Sequence, residues 1–201
     1  MTDRPFYHED MRALQDRYDG RRVADALEER RLHEALWEDE REMIETSPFF
    51  FIATAATPYV DCSIRSGDPG FVKVTGPRTL EWPEYDGNSM YRTLGNIRAN
   101  PEVGLLFVRF DGQSRRIRIS GRASVREDAA LREVKGHQGL IVSVDCHEIY
   151  PNCPRYLPDL AQGEASPNVP GEGRSPPPPE WKRRDYIREK LPKDDPFKND
   201  V

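Results

Sequence analysis

Residues 115–125 read Arg-Arg-Ile-Arg-Ile-Ser-Gly-Arg-Ala-Ser-Val. Ile117, Ile119, Gly121, Ala123 and Val125 alternate with Arg116, Arg118, Ser120, Arg122 and Ser124, the period of two that a strand imposes. One face is apolar and the other is polar and cationic. That division belongs to an antiparallel sheet with one face on a core and the other toward water.

Working outward, strand signals recur on both sides. Val103 to Phe110 is a mostly apolar strand joined to the first by a hairpin turn at Asp111-Gly112. Upstream, Phe49 to Ala55 is a short apolar run of strand formers, Thr57-Pro58 turns it, and Val60 to Arg65 returns. Gly67-Asp68-Pro69-Gly70 is a loop, Phe71 to Val74 a strand, and Thr79 to Trp82 its partner beyond the Gly76-Pro77-Arg78 turn. Ile141 to Ile149 is the last strand. Antiparallel strands joined by tight turns, with one internal helix, predict a mainly β (α+β) fold. The expected architecture is a six-stranded antiparallel barrel closed by Greek-key-like connections.

The ends of the chain read differently. Residues 6–46 have the period of a helix: Met11, Leu14 and Tyr18 fall on one face, Gly20 punctuates, and Val23, Leu27, Leu36, Met43 and Ile44 continue to Ser47-Pro48. So thin an apolar stripe cannot build its own core and must lie on another surface. Residues 163–180 are rich in Pro, Gly, Ser and Glu, with four consecutive prolines from Pro176 to Pro179, which predicts an extended arm. Trp181, Tyr186, Ile187 and Leu191 beyond it are suited to dock on a neighbouring surface. The expected organisation is a helical arm (1–46), a barrel (47–160) and a Pro-rich extended C-terminal arm (161–201).

Bulk properties exclude several functions. A net charge of -5 lacks the basic face of a duplex nucleic-acid binder. No run approaches the ~18 apolar residues of a membrane span, and Met1-Thr2-Asp3-Arg4-Pro5 has no apolar signal region. Cys62, Cys146 and Cys153 are odd in number and widely spaced, so reduced thiols in a cytoplasmic protein are expected. Neither CxxC nor HxxxH spacing occurs around them, and no metal is expected. Cys153 reads as a small residue in a turn and His147 as a strand residue. No carboxylate pair, Ser/His/Asp set or Cys/His set points to hydrolysis, so catalytic residues stay unassigned.

The chemistry concentrates between Ser63 and Arg92. Ser63 and Arg65 share one strand face, while Asn88, Ser89, Arg92 and Thr93 open a helix that runs through Met90, Leu94 and Ile97 to Asn100-Pro101. Free amides and the positive dipole end of a helix start suit a phosphate, and an arginine adds charge-assisted hydrogen bonds. A plainer reading fits the same residues: solvated arginines on an exposed sheet face, and an asparagine that only caps.

Residue order sharpens the choice. The strings Ser66-Gly67-Asp68-Pro69-Gly70-Phe71-Val72, Tyr85 through Ile97, Asn100-Pro101-Glu102-Val103-Gly104-Leu105-Leu106-Phe107 and Arg118-Ile119-Ser120-Gly121-Arg122-Ala123 together resemble the pyridoxamine 5'-phosphate oxidase-like, FMN-binding split-barrel family. Tyr150-Pro151-Asn152-Cys153-Pro154-Arg155-Tyr156 is similar to the string that closes the barrel in a bacterial branch of it. The resemblance implies a homodimer with FMN between the subunits. It assigns Ser63, Arg65, Asn88, Ser89 and Arg92 to the phosphate, counts Ile64 and Thr93 among the cofactor-binding residues, and puts Arg116 and Tyr150 near the flavin ring. Arg65 stands where related sequences often have lysine. The implied activity is hydride transfer between flavin and a small organic substrate. The Arg-x-His pair of true pyridoxamine-phosphate oxidases is missing, because Tyr156 and Leu157 follow Arg155. Two alternatives on the same barrel are a deazaflavin (F420) reductase and a non-catalytic carrier of flavin or haem.

Overall fold

The computed structural model describes residues 4–85, 89–110, 115–134, 136–153, 155–158, 160 and 180–198. The chain divides into two compact units, Met1–Leu32 with Arg155–Val201, and His33–Pro154.

The larger unit is one antiparallel sheet. Its strands are β1 (Phe49–Ala56), β2 (Tyr59–Ser66), β3 (Lys73–Val74), β4 (Thr79–Tyr85), β5 (Glu102–Val108), β6 (Arg116–Glu127) and β7 (His137–Pro151), paired in the order β2-β1-β5-β6-β7-β4-β3. Seven strands therefore replace the six expected, and β2 and β3 end the ladder instead of pairing to close it. β3 is only two residues long and meets β4 through Lys73–Glu81 and Val74–Leu80. It is the second half of the strand expected over Phe71 to Val74, and β4 is the partner expected for it.

The sheet nevertheless curls on itself. Phe50 on β1 and Trp82 on β4 lie four strand spacings apart in the ladder, about 19 Å if the sheet were flat. Their ring centroids are 4.9 Å apart in an edge-on contact. Phe50 also stacks on Phe107 at 4.9 Å and on Phe71 at 6.0 Å. Phe50, Ile52, Leu80, Trp82, Phe107, Ile119, Val142 and Val144 are all essentially inaccessible and fill the interior. The expected split barrel is thus closed by side-chain packing across an unpaired seam. Gly121 is required where β6 shifts register against β7: a Cβ there would lie 2.5 Å from Val144 Cγ1 and 2.8 Å from the Asp145 carbonyl oxygen.

The expected single helical run over 6–46 is three helices, α1 (Glu9–Arg17), α2 (Arg21–Arg31) and α3 (Glu38–Thr46). Asp19 turns left-handed (φ 51°) before Gly20, whose amide closes on the Gln15 carbonyl at 2.7 Å. The second break is extended: His33 exchanges backbone hydrogen bonds with Ile149 on β7, at 3.0 and 2.9 Å. α3 buries Met43 and Ile44 in the barrel core. A short helix, α5 (Ala129–Arg132), absent from the sequence reading, joins β6 to β7 and is capped by the Asp128 carboxylate.

α1 and α2 belong to the smaller unit. There Ala26 of α2 packs on Ile187 and Leu191, with Trp181 and Tyr186 partly buried beside them. Ile187 lies on α6 (Asp185–Arg188). Asp19 accepts the Lys193 amide at 2.8 Å, and that hydrogen bond pulls its carboxyl below the usual range. Met11, Leu14 and Tyr18, the predicted stripe of α1, are exposed within this unit. The Pro-rich segment expected to extend, residues 161–179, lies outside the described residues, as does the Asp111-Gly112 turn. No helix among the described residues is long and apolar enough to cross a membrane.

Two measurements check the packing. Phe50→Ala removes the ring that touches three other aromatic side chains, and should cost about 3–5 kcal/mol of unfolding free energy in denaturant titrations. Cys146 on β7 is fully buried, and burial beside Asp145 pushes its thiol from 9.0 up to about 12. Between those values the unfolded chain has released a proton that the folded chain keeps, so stability falls as pH rises. Cys146→Ala should flatten that part of the stability curve.

Candidate functional site

A cavity of about 500 Å³ opens at the seam, between β2, β4 and the start of the internal helix α4 (Arg92–Ala99). β2 begins the ladder and β4 is sixth in it, so about 24 Å would separate them in a flat sheet. Curling brings Arg65 of β2 to Glu84 of β4, with Nε donating to Oε1 at 2.9 Å. The Trp82 indole donates to the same oxygen at 3.0 Å. Glu84 is buried and Arg65 half-buried, so the pair is shielded from the screening that weakens surface ion pairs.

The opposite wall is α4. Asn96 donates to Thr54 Oγ1 at 3.1 Å, and Asn100 to the Ala55 carbonyl at 2.7 Å, which lock the helix against β1. Its start differs from expectation. Ser89 does not begin the helix; its first residue is Arg92, after Tyr91 in a left-handed conformation (φ 49°) with no side-chain cap. Asn88 lies outside the described residues, and Ser89, also left-handed (φ 59°), lines the cavity ahead of the helix. The early start failed because Ser89 and Tyr91 leave the helical region of φ, which residue type alone does not announce.

Between the walls runs a chain of hydrogen bonds. Arg65 NH1 donates to Ser63 Oγ at 2.9 Å, and Ser63 and Thr93 hydroxyls meet at 3.1 Å. Thr93 donates to Asp61 Oδ2 at 2.8 Å, while Arg92 Nε reaches Asp61 Oδ1 at 3.4 Å and its NH2 reaches the Val60 carbonyl at 3.2 Å. Thr93 spends its one hydroxyl proton on Asp61, so Ser63 donates to Thr93. The relay from Arg65 through Ser63 and Thr93 therefore runs toward Asp61. The two arginines are balanced by Asp61 and Glu84. Arg65 NH2 has no protein partner among the described residues, which leaves a two-proton donor at the cavity. The uncapped first turn of α4 adds free amides.

Ser63, Ile64, Arg65, Ser89, Arg92 and Thr93 all line this one cavity. Arg116 and Tyr150 do not. They lie on the outer face of the barrel, where Ile64, Phe51, Leu106, Arg118 and Tyr150 form one cross-strand row over five strands. The Arg118 guanidinium sits 6.0 Å from the Tyr150 ring centroid. Arg116 Nε is buried with no hydrogen-bond partner among the described residues, and burial lowers its proton affinity. Ile64 belongs to both the row and the cavity, so the cavity is continuous with the outer face.

Sequence reasoning missed the two acids. Asp61 shares the alternation of Ser63 and Arg65, and that spacing was a usable signal. Glu84 was not findable locally, because its approach to Arg65 depends on the curl of the whole sheet. No cluster of three or more His, Cys, Asp or Glu able to hold a metal occurs among the described residues.

A pyridoxamine 5'-phosphate oxidase family model matches residues 36–138, just over half of the chain. The chain belongs to that family. The match takes in β1 to β6 and α4, and with them every wall of the cavity. Three solved structures are similar in outline. One is a candidate pyridoxamine 5'-phosphate oxidase of Lactobacillus delbrueckii, 17% identical over 59% of this chain and 95% of that one, at a TM-score of 0.46. An FMN-binding protein from Syntrophomonas wolfei is 12% identical over 72% and 97%, at 0.43. A FAD-binding protein from Mesorhizobium loti is 13% identical over 61% and 99%, at 0.40. No curated protein sequence matches the chain.

The seam predicts its own weak point. Glu84→Ala leaves the half-buried Arg65 and the buried Trp82 indole without their acceptor, at a cost of about 2–3 kcal/mol. Urea denaturation should show a lowered midpoint with an unchanged slope.

Proposed function

We propose that this protein binds FMN in the seam cavity and works as a flavin-dependent oxidoreductase on a small organic substrate. The observation that carries this reading is the donor set gathered on one cavity: the Arg65 guanidinium, the Ser63 and Thr93 hydroxyls, Arg92 and the uncapped start of α4. Such a set fits a phosphate monoester in number and polarity. Family membership supports a flavin as its carrier. The flavin would supply hydride chemistry, while the protein binds, orients and shields it.

The outer face supports a homodimer. Phe51, Leu106 and the half-exposed Ile64 make an apolar centre, flattened by Ala53 opposite Gly104 and edged by Arg118 and Tyr150. A second copy set against this face would bring its Arg116 and Tyr150 toward the mouth of the first copy's cavity. Pyridoxamine phosphate itself is not the expected substrate, since the histidine that pairs with the arginine near Arg155 in true oxidases is absent.

Adding FMN to the purified protein should perturb the flavin absorption bands and quench flavin fluorescence. Arg65→Ala and Arg92→Ala should each weaken binding by about tenfold or more, the loss expected of a hydrogen bond to a charged group. Phe51→Asp should give a monomer by light scattering and lower FMN affinity with it. A protein that leaves FMN unperturbed, or binds F420 or haem in its place, would sink the FMN assignment.

A further inference from the structure

We propose that Asp61 is a built-in competitor for the anion: its carboxylate holds Arg92 and Thr93 until a phosphate displaces it. Asp61 thereby sets how tightly the cavity retains its ligand. The inference rests on the phosphate reading of the cavity and concerns its regulation.

The two acids of the cavity are held very differently. Glu84 receives Arg65 Nε at 2.9 Å and the Trp82 indole at 3.0 Å on one oxygen, both from half-buried or buried side chains. It is a fixed part of the seam. Asp61 receives Arg92 Nε at 3.4 Å, and the Arg92 side chain is 49% exposed against 20% for Arg65. That contact is long, and its half-exposed partner is otherwise held only by the Val60 carbonyl at 3.2 Å. The second contact, from Thr93 at 2.8 Å, uses the only proton that hydroxyl has. Thr93 cannot donate to Asp61 and to a phosphate together.

The whole relay from Arg65 through Ser63 and Thr93 terminates on Asp61. An entering phosphate needs those protons directed at itself. Thr93 must rotate, Arg92 must swing away, and Asp61 must give up both partners. Asp61 keeps its negative charge beside the newcomer, so like-charge repulsion adds to the lost hydrogen bonds. Ligand binding is an exchange of one anion for another, and its net strength is the difference between the two.

The test compares the full-length protein with Asp61→Asn and Asp145→Asn, the latter removing an acid paired with Arg78 on β7, outside the cavity. FMN and riboflavin, which lacks the phosphate, are titrated by fluorescence. Asp61→Asn should bind FMN about tenfold or more tightly than wild type, with riboflavin unchanged and Asp145→Asn indistinguishable from wild type. Equal or weaker FMN binding by Asp61→Asn overturns the proposal. So does the same gain for riboflavin or in Asp145→Asn, which would report net charge and not displacement. Asp61→Ser, checked by circular dichroism, replaces Asp61→Asn if that variant does not fold. If no form binds FMN, inorganic phosphate followed by phosphorus NMR decides separately. Tighter phosphate binding by the Asp61 variant keeps the competitor and discards the flavin, and no difference overturns the competitor as well.

Discussion

The ion pair between Arg65 and Glu84 spans the one gap that the sheet's hydrogen bonds leave open. Backbone pairing runs without interruption from β2 to β3 through five intervening strands, yet those two ends never pair. Apolar contacts in the interior, centred on Phe50 and Trp82, draw the flanks together. At the mouth, where water would otherwise enter, the pair and the Trp82 indole hold them. A salt bridge at a solvated surface contributes little. This one is set on a buried acceptor whose other partner is fixed, and its loss strands two donors at once.

The same pair makes the cavity. Because Nε of Arg65 is committed to Glu84 and one terminal nitrogen to Ser63, the guanidinium is fixed in the lining of the cavity. α4, pinned by Asn96 and Asn100, brings Arg92, Thr93 and bare amides to the opposite wall. The result is a site rich in donors and without excess charge, since Asp61 and Glu84 offset the two arginines. Net neutrality in the free site lets the arginines remain half-buried at modest cost. It also means that affinity for an anion comes from directed hydrogen bonds more than from a bulk field.

Much of this was legible in the chain. The alternation from Arg115 to Val125, the turns at Gly67–Gly70 and Gly76–Arg78, and the Asn100-Pro101 stop located the strands and the internal helix, because periodicity and turn chemistry are local. The phosphate candidates on β2 and α4 were grouped by residue order and do share one cavity. What escaped detection was non-local or conformational. His33 is pulled into an extended break by β7, distant in sequence, so a continuous helical pattern was overruled. Left-handed Ser89 and Tyr91 delay α4, and neither residue type signals that conformation. Glu84 entered the site through sheet curvature, which follows from the packing of Phe50 against Trp82 and not from its own neighbours. Arg116 and Tyr150 face outward, where a single chain's sequence cannot say what they meet.

The most direct measurement is a crystal structure of the protein grown or soaked with FMN. The account predicts phosphate density within hydrogen-bonding reach of Arg65, Ser63 and Thr93, with Arg92 turned from Asp61 toward the ligand. Phosphate density anywhere else on the barrel, with the Arg92–Asp61 and Thr93–Asp61 contacts intact, would contradict it.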